Sequence, residues 1–237
     1  MVTGDPRSIK KLVIIPAYNE EDTIVQLCKE VQDKAPGYDI IVINDHSDDG
    51  TLTKCISAGI HVLDLSVNLG IGGAMQAGYR YAADNGYDIA VQVDGDGQHD
   101  PQYLSGMLEQ MTDADADMVI GSRFLEREGY QSTVLRRWGI RYLTTLIKIL
   151  TREKVTDPTS GYRMVRGEVI KDFAKDYPQD YPEPESIVWM LMQGHKVVEV
   201  PVMMRERGGG KSSIRARDSV YYIIKVTIAI LLERMQK

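Results

Sequence analysis

KLVIIPAYNEEDTIVQLCKEVQDKAPGYDIIVIND, residues 11–45, decides the architecture. The apolar run at 11–15 is a buried strand that stops at the polar turn PAYNE. Ile24, Leu27, Cys28 and Val31 then recur at helical spacing, and YDIIVIND is a second buried strand. Two continuous apolar strands joined through an amphipathic helix form a parallel βαβ unit, because a parallel pair needs a long crossover. The pattern continues outward. HSDDGTLTKCISAG leads into a short helix, HVLDLS is a third strand, NLGIGGAMQAGYRYAADNG is a Gly-rich turn entering a helix, and YDIAVQVD is a fourth strand. This alternation predicts an α/β protein with a mostly parallel, Rossmann-like sheet and helices on both faces.

Ligands of such folds bind beyond the carboxyl ends of the strands. The unusual polar clusters fall there: PAYNE after strand one, NDHSDDGT after strand two, DGDGQHD after strand four. The second half is less regular. DMVIGSRF reads as a strand, LRRWGIRYLTTLIKIL as a helix, TDPTSGYRMV as a polar turn into a strand, and EPESIVWMLMQGHKVVEVPV as helix, Gly stop and strand. No internal repeat or linker interrupts the chain, so one domain is expected.

The net charge of -6 argues against a general nucleic-acid binder, yet the charge is uneven. Basic residues crowd 136–154 and 205–217, which suits specific anionic groups rather than a polyanion. Cys28 and Cys55 have no metal-ligand spacing and read as reduced thiols, the N-terminus lacks a signal-peptide apolar region, and the longest apolar stretch, 220–232, is short of the ~20 residues a spanning helix needs. A cytoplasmic protein is expected.

In VDGDGQHDP, Asp94 and Asp96 stand two apart at a strand end, and Gly95 and Gly97 let the backbone bend so both carboxylates converge. With the amide of Gln98 they suit Mg2+ or Mn2+, whose shell substrate phosphates complete. An EF-hand is excluded, since His99 and Ser105 occupy its Gly and Glu positions. A solvated acidic turn is the plain alternative. Asp45, beyond strand two, could accept from a base N–H, while residues 47–51 also cap the next helix. Gly70, Gly72 and Gly73 lack G-x-G-x-x-G spacing, which argues against a dinucleotide oxidoreductase; Gly72 remains a candidate for close approach to a sugar nucleotide.

The ordered set IPAYNEEDTI, INDHSDDGT, NLGIGGAMQAGYRYA, VDGDGQHDP, IGSRF, TDPTSGYR and EVPVMMRERGGGKSS resembles family 2 glycosyltransferases. Within them it resembles the branch of dolichol-phosphate mannose synthase and the bacterial undecaprenyl-phosphate sugar transferases. The likeness runs from about residue 10 to 217 and implies a GT-A fold and inverting transfer from a nucleotide sugar. By resemblance, Pro16, Tyr18 and Glu20 face the nucleotide, Asp45 meets the base, and Asp94, Asp96 and Gln98 hold the metal. Arg123 meets the acceptor phosphate with Arg136 or Arg137, and Arg205 and Lys211 form a basic pair at the donor diphosphate. Asp157 orients the reacting groups or acts as base, with Glu185 a second candidate; YPEPES could equally be only a helix start. The implied reaction loads a polyprenyl phosphate from a UDP-sugar, GlcNAc or glucose favoured, for cell-surface polysaccharide. An ionised phosphate acceptor needs little from a base, whereas an alcohol would need a positioned carboxylate. Extension of a saccharide chain, nucleotidyl transfer and a non-catalytic binding subunit are the rival readings; nucleotidyltransferases expect a Gly-rich loop where PAYNE stands.

Residues 1–217 are expected to form the catalytic domain and 218–237 an apolar or amphipathic terminal helix that buries, dimerises or docks on a membrane partner. On the helix near 134–151, Arg137, Arg141, Thr144 and Lys148 share a stripe within apolar surface. That suits either an anionic bilayer surface or a core helix with one solvated stripe. The resemblance also implies a peripheral position on the inner face of the membrane, beside a small membrane protein or a second copy.

Overall fold

The computed structural model describes residues 9–126, 134–205 and 224–230, the side chains of 134–136 excepted. Its centre is a seven-stranded sheet: β1 (Lys11–Ala17), β2 (Tyr38–Asn44), β3 (Val62–Asp64), β4 (Ile89–Gln92), β5 (Met118–Ser122), β6 (Arg163–Arg166) and β7 (Val197–Pro201). The order is β3-β2-β1-β4-β6-β5-β7. All pairings are parallel except those of β6, which runs antiparallel to both β4 and β5. The helices are α1 (Ile24–Lys34), α2 (Thr51–Ser57), α3 (Gly70–Asp84), α4 (Leu104–Asp113), α5 (Val134–Thr151), α6 (Gly167–Lys175) and α7 (Pro182–Gln193).

The period-two alternation of the strands divides the interior into two layers. Leu12, Ile14, Ile41, Ile43, Met118 and Ile120 face one way and pack against α3, α5, α6 and α7. Val13, Ile15, Val42, Val91, Val119 and Met164 face the other way and pack against α1 and α4. Cys28 and Cys55 lie buried in that second layer. Glycines let helices close on the sheet: a Cβ on Gly78 would stand 2.4 Å from Ile14 Cγ2.

Only part of the terminal helix is described. Residues 224–230 are helical, with Val226 and Ile230 buried against the α5 side of the core. Thr227 and Tyr142 of α5 share a hydrogen bond, and Lys225 pairs with Asp180. The outcome for α5 differs from the stripe expected above. Ile140, Leu143 and Ile147 are core, and the outward face carries Trp138, Arg141, Tyr142, Thr145, Lys148 and Ile149, while Arg137 and Thr144 are only partly exposed. Packing against the sheet selects the apolar side with the best shape, leaving a mixed aromatic and basic face to solvent.

Candidate active site

The carboxyl ends of β1, β2 and β4 meet at one rim, and short loops knit that rim together. Asn19 and His46 adopt left-handed backbone (φ 58° and 59°), a conformation Asn tolerates through its short polar side chain. Asn19 N–H donates to Ser47 Oγ at 3.0 Å, Asp48 N–H to Asn19 Oδ1 at 2.9 Å, and Glu20 N–H to Thr51 Oγ1 at 2.9 Å. Thr23 Oγ1 donates to the carbonyl of Gly95 at 2.7 Å, which ties the first loop to the acidic loop after β4. Pro16 lies at the buried end of β1, Tyr18 is half exposed beside it, and Glu20 is partly buried. Asp45 is 4% exposed, with Oδ1 accepting from Leu69 N–H at 2.7 Å, while among the described residues Oδ2 has no hydrogen bond. The carboxylate thus fixes the entry to α3 and keeps one oxygen for a further donor.

The acidic loop is braced from within. Gln92 Nε2 donates to Asp94 Oδ1 at 2.9 Å, and Asp94 N–H donates to His99 Nδ1 at 3.0 Å. An accepting Nδ1 places the proton of a neutral imidazole on Nε2, which stands 3.6 Å from Asp94 Oδ2. The His99 ring is buried and stacks on Tyr162 at 4.7 Å between centroids. Asp96 is buried, its Oδ1 accepting from Gln98 N–H at 3.0 Å. Among the described residues no three carboxylate, imidazole or thiolate side chains converge as a metal cage. The donors expected from the sequence, two carboxylates and the Gln98 amide oxygen, are all hard oxygens on one loop. That composition fits Mg2+ or Mn2+, which take one or two protein carboxylates and complete their shell with water and phosphate.

Gly72 corrects an expectation. Its N–H donates to the carbonyl of Gln179 at 3.1 Å, and a Cβ there would lie 2.2 Å from that oxygen and 2.3 Å from Pro178 O. The missing side chain admits the 178–179 backbone, not a sugar nucleotide. Arg205 also differs from the diphosphate role foreseen for it. Its Nε and Nη2 reach Asp100 Oδ2 at 3.0 and 2.6 Å and its Nη1 reaches Glu30 Oε2 at 2.6 Å. Those two carboxylates take up the guanidinium. Its backbone brackets Gln98 instead: Arg205 N–H donates to Gln98 O at 3.0 Å and Gln98 Nε2 to Arg205 O at 3.3 Å. Lys211 and the side chain of Arg136 lie outside the described residues, and Arg137 is partly buried on α5.

At the end of β5, Arg123 is clamped to Asp157, which has no exposed surface. Nε donates to Oδ2 and Nη2 to Oδ1, each at 2.7 Å, and Nη2 also donates to Thr159 Oγ1 at 2.9 Å. Such a bidentate pair orients the guanidinium plane as well as holding it. Burial works against the charge of Arg123, but the hydrogen bonds and charge of Asp157, with Asp94 and Glu183, outweigh it and raise the pKa. Nη1 keeps no hydrogen-bond partner among the described residues. With both oxygens engaged, Asp157 orients Arg123 and is poorly placed to take a proton.

Glu183, which sequence reasoning passed over for Glu185, senses this centre. Burial pushes its pKa up, the Arg163 cation opposes that, and the charge of Asp94 adds to the rise. Glu185, also partly buried, sits two residues further along the first turn of α7, which starts at Pro182. Arg163 is fully buried, donating to Ser160 O at 2.7 Å, Ser186 Oγ at 2.8 Å and Pro158 O at 3.1 Å, so it shapes the loop that carries Asp157.

Residues 12–173 match the model of glycosyl transferase family 2. The chain belongs to this family. It is therefore a glycosyltransferase. It is 31% identical over 215 residues to an undecaprenyl-phosphate mannosyltransferase of Micrococcus luteus, covering 87% of this chain and 88% of the relative. It is 31% identical over 252 residues to the polyprenol monophosphomannose synthase of Mycolicibacterium smegmatis, covering 97% and 93%. The transferase fold also superposes on glucosyl-3-phosphoglycerate synthase from Mycobacterium tuberculosis, solved with Mn2+, UDP and phosphoglyceric acid. The TM-score is 0.73 at 21% identity over 95% of this chain and 78% of that one. The GT-A, mostly parallel sheet expected from the sequence is the observed fold.

Proposed function

We propose that the transferase moves a mannosyl group from a nucleotide-activated donor to the phosphate of a polyprenyl lipid. The observation that carries this reading is Arg123: a cation with only 12% of its side chain exposed, fixed in orientation by Asp157, within reach of the charge of Asp94 and with Nη1 left over among the described residues. A phosphate oxygen is the natural partner for that N–H. The undecaprenyl-phosphate mannosyltransferase and the polyprenol monophosphomannose synthase among its relatives support mannose over the expected UDP-GlcNAc or UDP-glucose donor.

The chemistry follows from the residues. Asp45 and the half-exposed Tyr18 border the place for the donor base, and Asp94, Asp96 and Gln98 face its diphosphate. A divalent cation held there supplies positive charge against the departing diphosphate. Arg123 holds the acceptor phosphate in line with the anomeric carbon. A phosphate oxygen forms the new bond to that carbon, the bond to the donor diphosphate breaks, and its electron pair leaves with the nucleotide. The acceptor monoester is largely ionised near neutrality, so no carboxylate has to remove a proton. This agrees with a fully paired Asp157. Positioning supplies most of the rate.

The outward face of α5 supports a lipid acceptor. Trp138 and Tyr142 alternate with Arg141 and Lys148, and Ile149 is more than half exposed, as are Ile224 and Ile228 on the helix that Tyr142 meets through Thr227. Aromatic and basic side chains in this mixture settle at a bilayer interface. No helix among the described residues is long and apolar enough to cross a membrane, so peripheral attachment is the proposed mode. The test supplies GDP-mannose, UDP-glucose and UDP-GlcNAc in turn with a polyprenyl phosphate. Label from GDP-mannose entering the organic phase is expected; label confined to water-soluble saccharide would replace this reading with chain extension.

A further inference from the structure

Glu199 is a lone charge in the apolar strand VVEVP, on the edge strand β7, and its side chain turns to the polar loop before β6. Its Oε2 accepts from Thr156 N–H at 2.8 Å, and its Oε1 accepts from Thr156 Oγ1 at 2.8 Å and from Asp157 N–H at 2.9 Å. Thr156 Oγ1, its proton given to Glu199, accepts from Ser122 Oγ at 3.0 Å. Ser122 immediately precedes Arg123, and the residue that orients Arg123 is Asp157. One carboxylate on β7 thus holds the two successive peptide N–H groups that lead into Asp157, and through Thr156 it also holds the end of β5.

We infer that Glu199 is a positioning residue for acceptor-phosphate recognition, acting through Thr156 and Asp157 on the guanidinium of Arg123. This rests on the proposed role of Arg123. The substitution Glu199→Gln is informative because both carboxylate oxygens accept from a backbone N–H. Whichever way the amide turns, its NH2 faces a backbone N–H, of Thr156 or of Asp157. The loop must shift, and a displacement near 1 Å at a reacting group lowers turnover about 100-fold. Among the described residues, the hydrogen bonds of Glu199 go to Thr156 and Asp157 and none goes to the loops after β1, β2 or β4.

The experiment measures kcat and KM separately for the polyprenyl phosphate and the nucleotide sugar in Glu199→Gln, Thr156→Val and Thr156→Ser. The expected result is an acceptor KM raised about 10-fold or more, with kcat/KM for the acceptor lowered about 100-fold and donor KM within twofold of wild type. Thr156→Val follows Glu199→Gln, and Thr156→Ser, which keeps the hydroxyl, recovers wild-type values. The Nε–H resonance of Arg123 moves in Glu199→Gln in the direction it moves in Asp157→Asn. An unchanged acceptor KM in folded Glu199→Gln, or equal loss toward donor and acceptor, overturns the inference. Thr156→Val decides the same point if Glu199→Gln does not fold. Undiminished transfer by Arg123→Ala would instead remove the role of Arg123 itself, a distinct outcome.

Discussion

Gly161 lies against the carboxylate of Asp94: a Cβ at 161 would stand 3.2 and 3.3 Å from its two oxygens and 2.9 Å from Gln92 Nε2. The turn entering β6 therefore defines how far Asp94 can swing, and it does so with a hydrogen atom. In Gly161→Ala the Gln92–Asp94 hydrogen bond must open. Turnover is expected to fall about 10- to 100-fold, with the urea midpoint nearly unchanged. Wild-type turnover in this variant would mean that Asp94 has slack in its setting.

Gly72→Ala separates packing from ligand contact. The added methyl meets two backbone carbonyls, which cannot rotate away as a side chain tip would. Destabilisation of about 1–3 kcal/mol is expected, seen as a lower unfolding midpoint. Donor KM in the surviving folded fraction stays at the wild-type value. A raised donor KM without loss of stability would return Gly72 to the nucleotide site.

Asp96→Ala removes one of two carboxylates from the proposed cation site. Turnover at saturating donor is expected to drop about 100- to 1000-fold, and Mn2+ affinity read by paramagnetic relaxation to fall with it. The circular dichroism spectrum should remain that of the wild type. Retained turnover in the presence of chelator would eliminate the cation from the reaction.

Far from the rim, Asp117 governs part of the acid limb of stability. Burial raises its pKa, but the Lys196 N–H at 2.9 Å, His195 and Arg166 outweigh that and hold it below the ordinary carboxylate value. A carboxylate depressed in the folded state contributes stability that is present above its unfolded pKa. That stability disappears as pH falls through the folded value. Wild-type protein should lose stability below about pH 4, and Asp117→Asn should flatten that limb of the curve. Urea titrations at stepped pH check it; identical slopes in the two proteins would assign the acid limb elsewhere.

Partition to membranes tests the outward face of α5. Replacing Trp138 and Ile149 by Ser, or reversing Arg141 and Lys148 to Glu, should release the protein from vesicles containing anionic lipid. Transfer to a short, water-soluble polyprenyl phosphate should persist. Equal sedimentation of all three proteins would make that face ordinary surface.

The succession of strands along the chain and the three polar rims could be read from the sequence because β1, β2 and β4 are continuous apolar runs with a sharp polar stop. Asp45, Asp94 and Asp96 follow directly from those stops. What escaped reading depends on phase and on distant partners. Glu183 and Glu185 are both acids at a helix start, and only the fold, which brings the charges of Arg163 and Asp94 to bear on Glu183, draws that residue into the site. The resemblance sets Arg205 at the donor diphosphate, whereas Asp100 and Glu30, 105 and 175 residues away, decide where it points. Glu199 did leave a signal, a charge inside an apolar strand, although the loop it serves was invisible. The antiparallel sense of β6 left none, since a four-residue strand carries no mark of direction.

That reversed strand has a consequence for how the enzyme can diversify. Because β6 runs against its neighbours, the segment entering it, not the one leaving it, reaches the working rim and delivers Asp157, Thr159 and Gly161 there. Segments that exit β1, β2 and β4 carry the residues proposed for the donor. The two halves are joined at Gly161 and Tyr162, which lie against Asp94 and His99: exchange of residues 156–160 would retune the proposed acceptor side, whereas a change at 161 or 162 would reach both.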